Sequence, residues 1–163
     1  MERIVFCFEI PGRPQGKGRP RVTKNGTFTP KKTKEYENLI KLCFKNKYKN
    51  VKVIAEKMPV AVFIIAYYKV PKGMTKKELV LINEDKLLPT VKPDADNISK
   101  VILDSLNGIV YKDDNQVTDL IVRKKFALDG ESECVKVFIT SFEERPELFD
   151  RKNIMNYFDE LER

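Results

Sequence analysis

Apolar and polar residues alternate at the start of the chain. Ile4, Phe6, Phe8 and Ile10 share one face of residues 3–10, which is the period of a half-buried strand. Residues 11–30 lose that pattern. Gly, Pro and basic residues crowd them, so they predict a loop, with a short hairpin at Lys24-Asn25-Gly26-Thr27. Residues 33–49 take up a helical period, with Tyr36, Leu39, Ile40, Cys43 and Phe44 on one stripe. Residues 60–70 form a continuous apolar run, the mark of a strand buried on both faces. Thr75-Lys76-Lys77-Glu78 has the form of a capping box opening a short helix. Residues 94–106 predict a second main helix. Residues 116–127 and 134–142 predict strands, joined as a hairpin across Asp129-Gly130. Pro146 starts a C-terminal helix, whose Leu148, Met155, Phe158 and Leu161 suit core packing or a dimer contact.

This order predicts an α+β single domain with a mixed β-sheet and packed helices. Residues 1–143 form its body, and residues 144–163 a C-terminal helical extension. No apolar run approaches the roughly 20 residues that cross a bilayer. The first apolar stretch is short and lacks a small-residue cleavage site. The expectation is a cytoplasmic protein with no membrane partner.

Composition narrows the chemistry. The chain has no histidine, and Cys7, Cys43 and Cys134 are far apart. That argues against histidine triads, histidine general bases, zinc centres and a disulfide framework. What remains is carboxylates, lysine, arginine, hydroxyls or a bound metal. Carboxylate oxygens favour hard ions such as Mg²⁺ or Mn²⁺.

The net charge is +7, and it is polarised. Residues 1–58 hold 15 Lys/Arg against 5 Asp/Glu, whereas residues 143–163 hold 4 against 7. Positive charge gathered at one end suits a polyanion such as DNA. Gly12-Arg13-Pro14-Gln15-Gly16-Lys17-Gly18 resembles a phosphate-binding loop at first sight. However, its glycines are one residue too close, and Gly18 stands where a Ser or Thr should be. Pro14 and Pro20 also prevent a helix from opening there, so no nucleotide cofactor is expected. Residues 11–34 hold eight Lys/Arg and no acid. They read either as a solvated loop or as a surface on which Arg13, Lys17, Arg19, Arg21 and Lys24 grip a phosphate backbone.

The candidate chemistry lies between Lys92 and Gln116. On a helical wheel, Ile98, Val101, Ile102, Ser105, Leu106 and Ile109 share one arc, which Leu103 alone breaks. Asp96, Lys100 and Asp104 form an i, i+4, i+8 row on the opposite face. Asp94 falls at the N-cap. These acids have two readings. Asp94 either caps the helix or binds a metal, and Asp96 either pairs with Lys100 or binds a metal. Asp113-Asp114 is a polar turn or a second ligand pair. A helix feeding a strand through a short connection packs against it, which could return Asp113 or Asp114 toward Asp94 and Asp96. Two acidic clusters joined by one helix favour a metal site over either alone.

The runs Lys92-Pro93-Asp94-Ala95-Asp96-Asn97-Ile98-Ser99-Lys100, Asp104-Ser105-Leu106-Asn107-Gly108 and Tyr111-Lys112-Asp113-Asp114-Asn115-Gln116 together resemble the RusA-like family of Holliday junction resolvases, often encoded by phages and prophages. The likeness extends more loosely from the first strand to about residue 143. It implies a homodimeric, Mg²⁺-dependent endodeoxyribonuclease of recombination and repair, which nicks four-way DNA junctions in paired strands. By position it implies Asp94, Asp96 and Asp114 as essential acids and metal ligands. Asp113 is a neighbouring acid, Lys100 a functional lysine, and Lys92 a basic residue ahead of the first acid. Residues 74–90 look inserted relative to the best-known members. Two alternatives stand beside this reading. One is a non-catalytic basic nucleic-acid-binding protein, and the other a Mg²⁺ nuclease acting on flaps or single strands.

Overall fold

The computed structural model describes residues 5–24, 26–128 and 130–143. The expected helix after Pro146, and with it the 144–163 extension, lies outside the described residues. Six strands and three helices are described: β1 (Val5–Pro11), β2 (Arg21–Thr23), β3 (Gly26–Phe28), α1 (Lys31–Lys47), β4 (Val60–Tyr68), α2 (Lys76–Asn83), α3 (Ala95–Leu106), β5 (Val117–Phe126) and β6 (Cys134–Ser141). A 3-10 turn, Asp114–Gln116, precedes β5. The main sheet runs β1-β6-β4-β5, and β2 with β3 makes a separate two-stranded ribbon. β4 is parallel to β5 and antiparallel to β6, so the sheet is mixed, as expected of an α+β domain.

The apolar run is buried on both faces from Val60 to Tyr68, short of the expected residue 70, for a visible reason. Val60, Val62, Ile64, Ala66 and Tyr68 of β4 pack with Tyr36, Ile40 and Phe44 of α1 and with Ile98, Val101, Ile102 and Leu106 of α3. Ala61, Phe63, Ile65 and Tyr67 face the other way, into a second cluster with Phe138 and Phe142. Period-two alternation thus serves two apolar layers from one strand.

The expected hairpin across Asp129-Gly130 is not formed. β5 and β6 each pair with β4, one on either side of it. The physical reason is burial. All nine residues of β4 are buried, so it needs partners on both edges, whereas β5 keeps exposed positions at Thr118 and Leu120 and takes the rim. Local turn chemistry is overridden by the demand of the more apolar strand. At the opposite rim, the Tyr48 hydroxyl accepts from Cys7 N at 2.8 Å and donates to Cys7 O at 2.9 Å, which blunts the free edge of β1.

The helices follow their sequence signals. Thr75 and Glu78 close the capping box that opens α2. α3 buries Ile98, Val101, Ile102, Ser105 and Leu106 of the predicted arc, while Ile109, past the end of the helix, and Leu103 are half-buried. No helix among the described residues is long and apolar enough to cross a membrane.

Candidate active site

Residues 12–19 are a fitted strap, not a loose loop. Lys17 N donates to Asn97 O of α3 at 2.9 Å, and Gly18 N donates to Thr33 Oγ1 of α1 at 3.2 Å. A Cβ on Gly16 would stand 2.8 Å from Asn97 Cβ and 2.9 Å from Pro93 Cβ, and one on Gly18 would stand 2.6 Å from Thr33 Oγ1. Only glycine lets the strap lie this close to both helices.

The strap forms one wall of a groove of about 910 Å³, whose other wall is the start of α3 and the segment before it. Arg13, Lys17, Arg19, Lys32 and Lys92 line it, and Asp94 is the one acid among its described lining residues. Residues far apart in sequence are therefore brought together. Of the expected DNA-contact residues, Arg13, Lys17, Arg19 and Lys92 line this groove, while Lys24 and Arg21 belong to the ribbon. Lys32 also lines the groove, a residue of the basic segment to which the sequence alone assigns no role. Its signal was its place at the start of a helix beside the strap.

Lys17 has a second employment. Its ammonium bonds Glu37 of α1 at 2.5 Å and Asp104 of α3 at 2.9 Å. Burial alone would lower its pKa, but the hydrogen bonds it donates to Glu37 and Asp104 outweigh that and raise it. Lys17 is thus a cross-link between helices as well as a groove residue.

The acids of α3 are not spent on the structural roles that sequence left open. Asp94 occupies the N-cap but makes no side-chain cap bond. Asp96 and Lys100 are both exposed, and no ion pair joins them among the described residues. The backbone carbonyl of Asp96 accepts from Ser99 Oγ at 2.8 Å.

The second acidic cluster is built differently. Tyr111 is buried, and its hydroxyl donates to Leu103 O at 3.0 Å, which pins the turn to α3. Asp113 caps the 3-10 turn by accepting from Asn115 N at 3.0 Å. Gln116 clamps the same turn. Its Oε1 accepts from Lys112 N at 2.9 Å, and its Nε2 donates to Ala55 O at 2.9 Å and Met58 O at 3.2 Å. Asp114 stands half-buried beside them. Burial pushes its pKa up, and the negative charges of Asp104 and Asp113 add to the rise.

Asp114 therefore faces the Asp104 end of α3. Asp104 lies eight residues past Asp96, about 12 Å along the helix axis. Among the described residues, no three acidic side chains stand close enough to hold a metal ion together. The oxygen donors are of the right kind for a hard cation, but Asp94, Asp96, Asp113 and Asp114 do not gather into one cluster. By sequence alone the turn could return Asp113 or Asp114 toward Asp94 and Asp96, and Asp104 has no role. The i, i+8 spacing was the available signal that Asp104 shares the exposed face.

Comparison with known proteins covers this same region. The family model described as Endodeoxyribonuclease RusA matches residues 11–140, from the strap through α3 and the acidic turn to β6. The chain is also 34% identical over 126 residues to the Uncharacterized protein YqaN of Bacillus subtilis (strain 168), covering 74% of this chain and 87% of that protein. The strap, the groove and both acidic groups all fall within the matched span, and the chain belongs to the RusA endodeoxyribonuclease family.

Proposed function

We propose that this nuclease is a divalent-metal-dependent endodeoxyribonuclease that resolves four-way DNA junctions as a homodimer, with Mg²⁺ as the physiological ion and Mn²⁺ able to replace it. The observation that carries this reading is the basic groove, which Arg13, Lys17, Arg19, Lys32 and Lys92 line together with Asp94. A phosphodiester backbone is the polyanion such a groove accommodates, and the groove delivers it to the one end of α3 that carries exposed carboxylates.

Asp94, Asp96 and Asp114 are assigned as ion ligands. Asp113 has one oxygen committed to Asn115 N, so it is the weaker candidate. A bound ion supplies charge that offsets the repulsion between the acids and the phosphate, and it acidifies water. The rest is the work of the chain. Arg13, Arg19, Lys32 and Lys92 hold the backbone in register. Lys100, exposed one turn beyond Asp96, takes the phosphate at the cut. Because Asp94, Asp96 and Asp114 do not form one cluster here, the reading requires the acidic turn and the first turn of α3 to draw together when DNA and ion are both present.

The test is cleavage of labelled four-way, flap and linear DNA with Mg²⁺ or with EDTA. The expected result is paired nicking of the four-way DNA only, lost in EDTA. Asp96→Asn should abolish cleavage while DNA affinity holds or rises, because one repelling charge is gone. Full activity of Asp96→Asn sinks the site assignment. Preferential cutting of flaps or single strands replaces the junction reading. Binding without any cleavage replaces the catalytic one. Calcium titration by calorimetry gives an independent readout, with weaker uptake expected in Asp96→Asn. Light scattering reads the dimer.

A further inference from the structure

The ribbon of β2 and β3 stands outside the main sheet, yet it springs from the rim of the basic groove. Arg19 lines the groove just before it, and Pro30 and Lys32 line the groove just after it. Its two stems are tied together by the Gly18–Thr33 bond. No acid occurs in residues 11–34, and the carboxylates that meet its cations, Glu35, Glu37 and Asp104, pair with Lys31 and Lys17 outside the ribbon.

Two large apolar side chains sit in this basic surrounding. Val22 is 81% exposed and Phe28 is 50% exposed. Val22 pairs with Thr27, and Phe28 pairs with Arg21 one position along the ladder. Paired positions share a face and successive positions alternate, so Val22 and Phe28 lie on opposite faces of the ribbon. A ribbon lying flat on a surface covers one face. A ribbon whose apolar residues point both ways covers both only when it enters a slot between two apolar surfaces. In DNA, the apolar surfaces are the flat faces of bases, and they part where stacking is interrupted. Each strand of three residues reaches about 10 Å, enough to pass from a backbone held in the groove to the bases beside it.

We propose that the β2–β3 ribbon is a base-contacting wedge, which presses Val22 and Phe28 between unstacked bases while the adjacent groove holds the backbone. The inference rests on the DNA reading above and extends it. It assigns the ribbon contact with base faces, and it places the break in the stack beside the groove.

The test uses the full chain in EDTA, so that binding is read without cleavage. Four-way DNA carries 2-aminopurine at the branch point, with a mid-arm label as control. Wild type should raise the branch signal and leave the mid-arm signal unchanged. The double variant Val22→Thr, Phe28→Thr keeps strand propensity and charge but removes the apolar surface. It should abolish the rise and weaken binding about five- to tenfold, the scale of one lost stacking contact, with an unchanged salt slope. Phe28→Tyr should retain most of the signal. A wild-type rise in the double variant overturns the wedge. So does a double variant that changes oligomeric state in light scattering while its fluorescence response stays that of wild type, because the apolar surface then belongs to a second copy. If wild type binds no DNA, the DNA reading itself fails and the wedge fails with it. If wild type binds and unstacks DNA but never cleaves it, only the catalytic reading is lost.

Discussion

The Lys17 ammonium lies 2.9 Å from the Asp104 carboxylate, which joins the basic strap to the helix that carries the candidate acids. The same ammonium bonds Glu37 on α1, and all three side chains are less than a third exposed. Lys17→Met would leave two partly buried carboxylates without their counter-charge. The expected cost is about 1–3 kcal/mol, at the lower end because solvent still screens the cluster. For a chain of this size that is a fall of several degrees in Tm. The salt dependence of DNA binding separates this role from phosphate contact. Lys17→Met should leave the slope of log K against log salt nearly unchanged, whereas Arg13→Ala with Arg19→Ala should flatten it by about two contacts. A Lys17→Met protein with wild-type Tm and a flattened slope reverses the assignment.

Asp114 gives a pH-dependent prediction. Its pKa in the folded chain is raised above the ordinary 3.8, first by burial and then by Asp104 and Asp113. The folded state therefore holds this proton more tightly than the unfolded state does. Stability falls as pH rises from 3.8 through the raised value, and it stays lower above it. Asp114→Asn removes that penalty. In EDTA the variant should melt higher than wild type at neutral pH, and the difference should shrink as the buffer is brought toward the ordinary aspartate range. Cleavage should be lost at every pH. A Tm difference that does not change with pH contradicts the environment assigned to Asp114.

Gln116 is the clearest purely structural member of the motif. It is buried, accepts from the backbone of Lys112, and donates to the carbonyls of Ala55 and Met58. Gln116→Glu keeps the shape and the acceptor but turns a carboxylate toward two carbonyl oxygens. A loss of about 2–3 kcal/mol is expected in urea unfolding at neutral pH, easing as the new carboxyl is protonated in acid. Equal stability of the two proteins at neutral pH would show that the clamp is dispensable.

The parts of this fold that follow from local pattern were legible in the sequence. The stripe of α1, the Thr75–Glu78 capping box, the doubly buried run of β4 and the arc of α3 all depend on residues within a few turns of each other. Strand order did not follow in that way. Whether β5 pairs with β6 or with β4 depends on how many buried edges β4 must fill, which is a property of the whole sheet. The site divides along the same line. The helical wheel placed Asp96, Lys100 and Asp104 on one face from spacing alone. The partner of Asp114 depends on how Tyr111 and Gln116 anchor a turn across α3 and residues 55–58, and no periodicity encodes that. Nor could charge counting show that Lys17 meets two acids, because Glu37 and Asp104 reach it through packing of α1 against α3.

Gly16 carries the last prediction, and it separates the shape of the groove from its charge. Its missing side chain lets the strap lie against Pro93 and Asn97, where a Cβ would come within 2.9 Å of both side chains. Asn97 is held by its place in the first turns of α3, so the strap must be the part that moves. Gly16→Ala should lift the strap by a few tenths of an ångström, strain the Lys17 N to Asn97 O bond and cost about 1–3 kcal/mol. Every cation of the groove remains, so the number of phosphates neutralised should not change. Affinity for four-way DNA should fall while the salt slope stays that of wild type. Gly12→Ala serves as the contrast. It also strains the backbone, at a φ of +90°, but nothing lies within 4 Å of the added carbon. It should cost stability with less effect on DNA binding. If the two alanine variants weaken DNA binding equally, the close fit at Gly16 does not set the width of the groove.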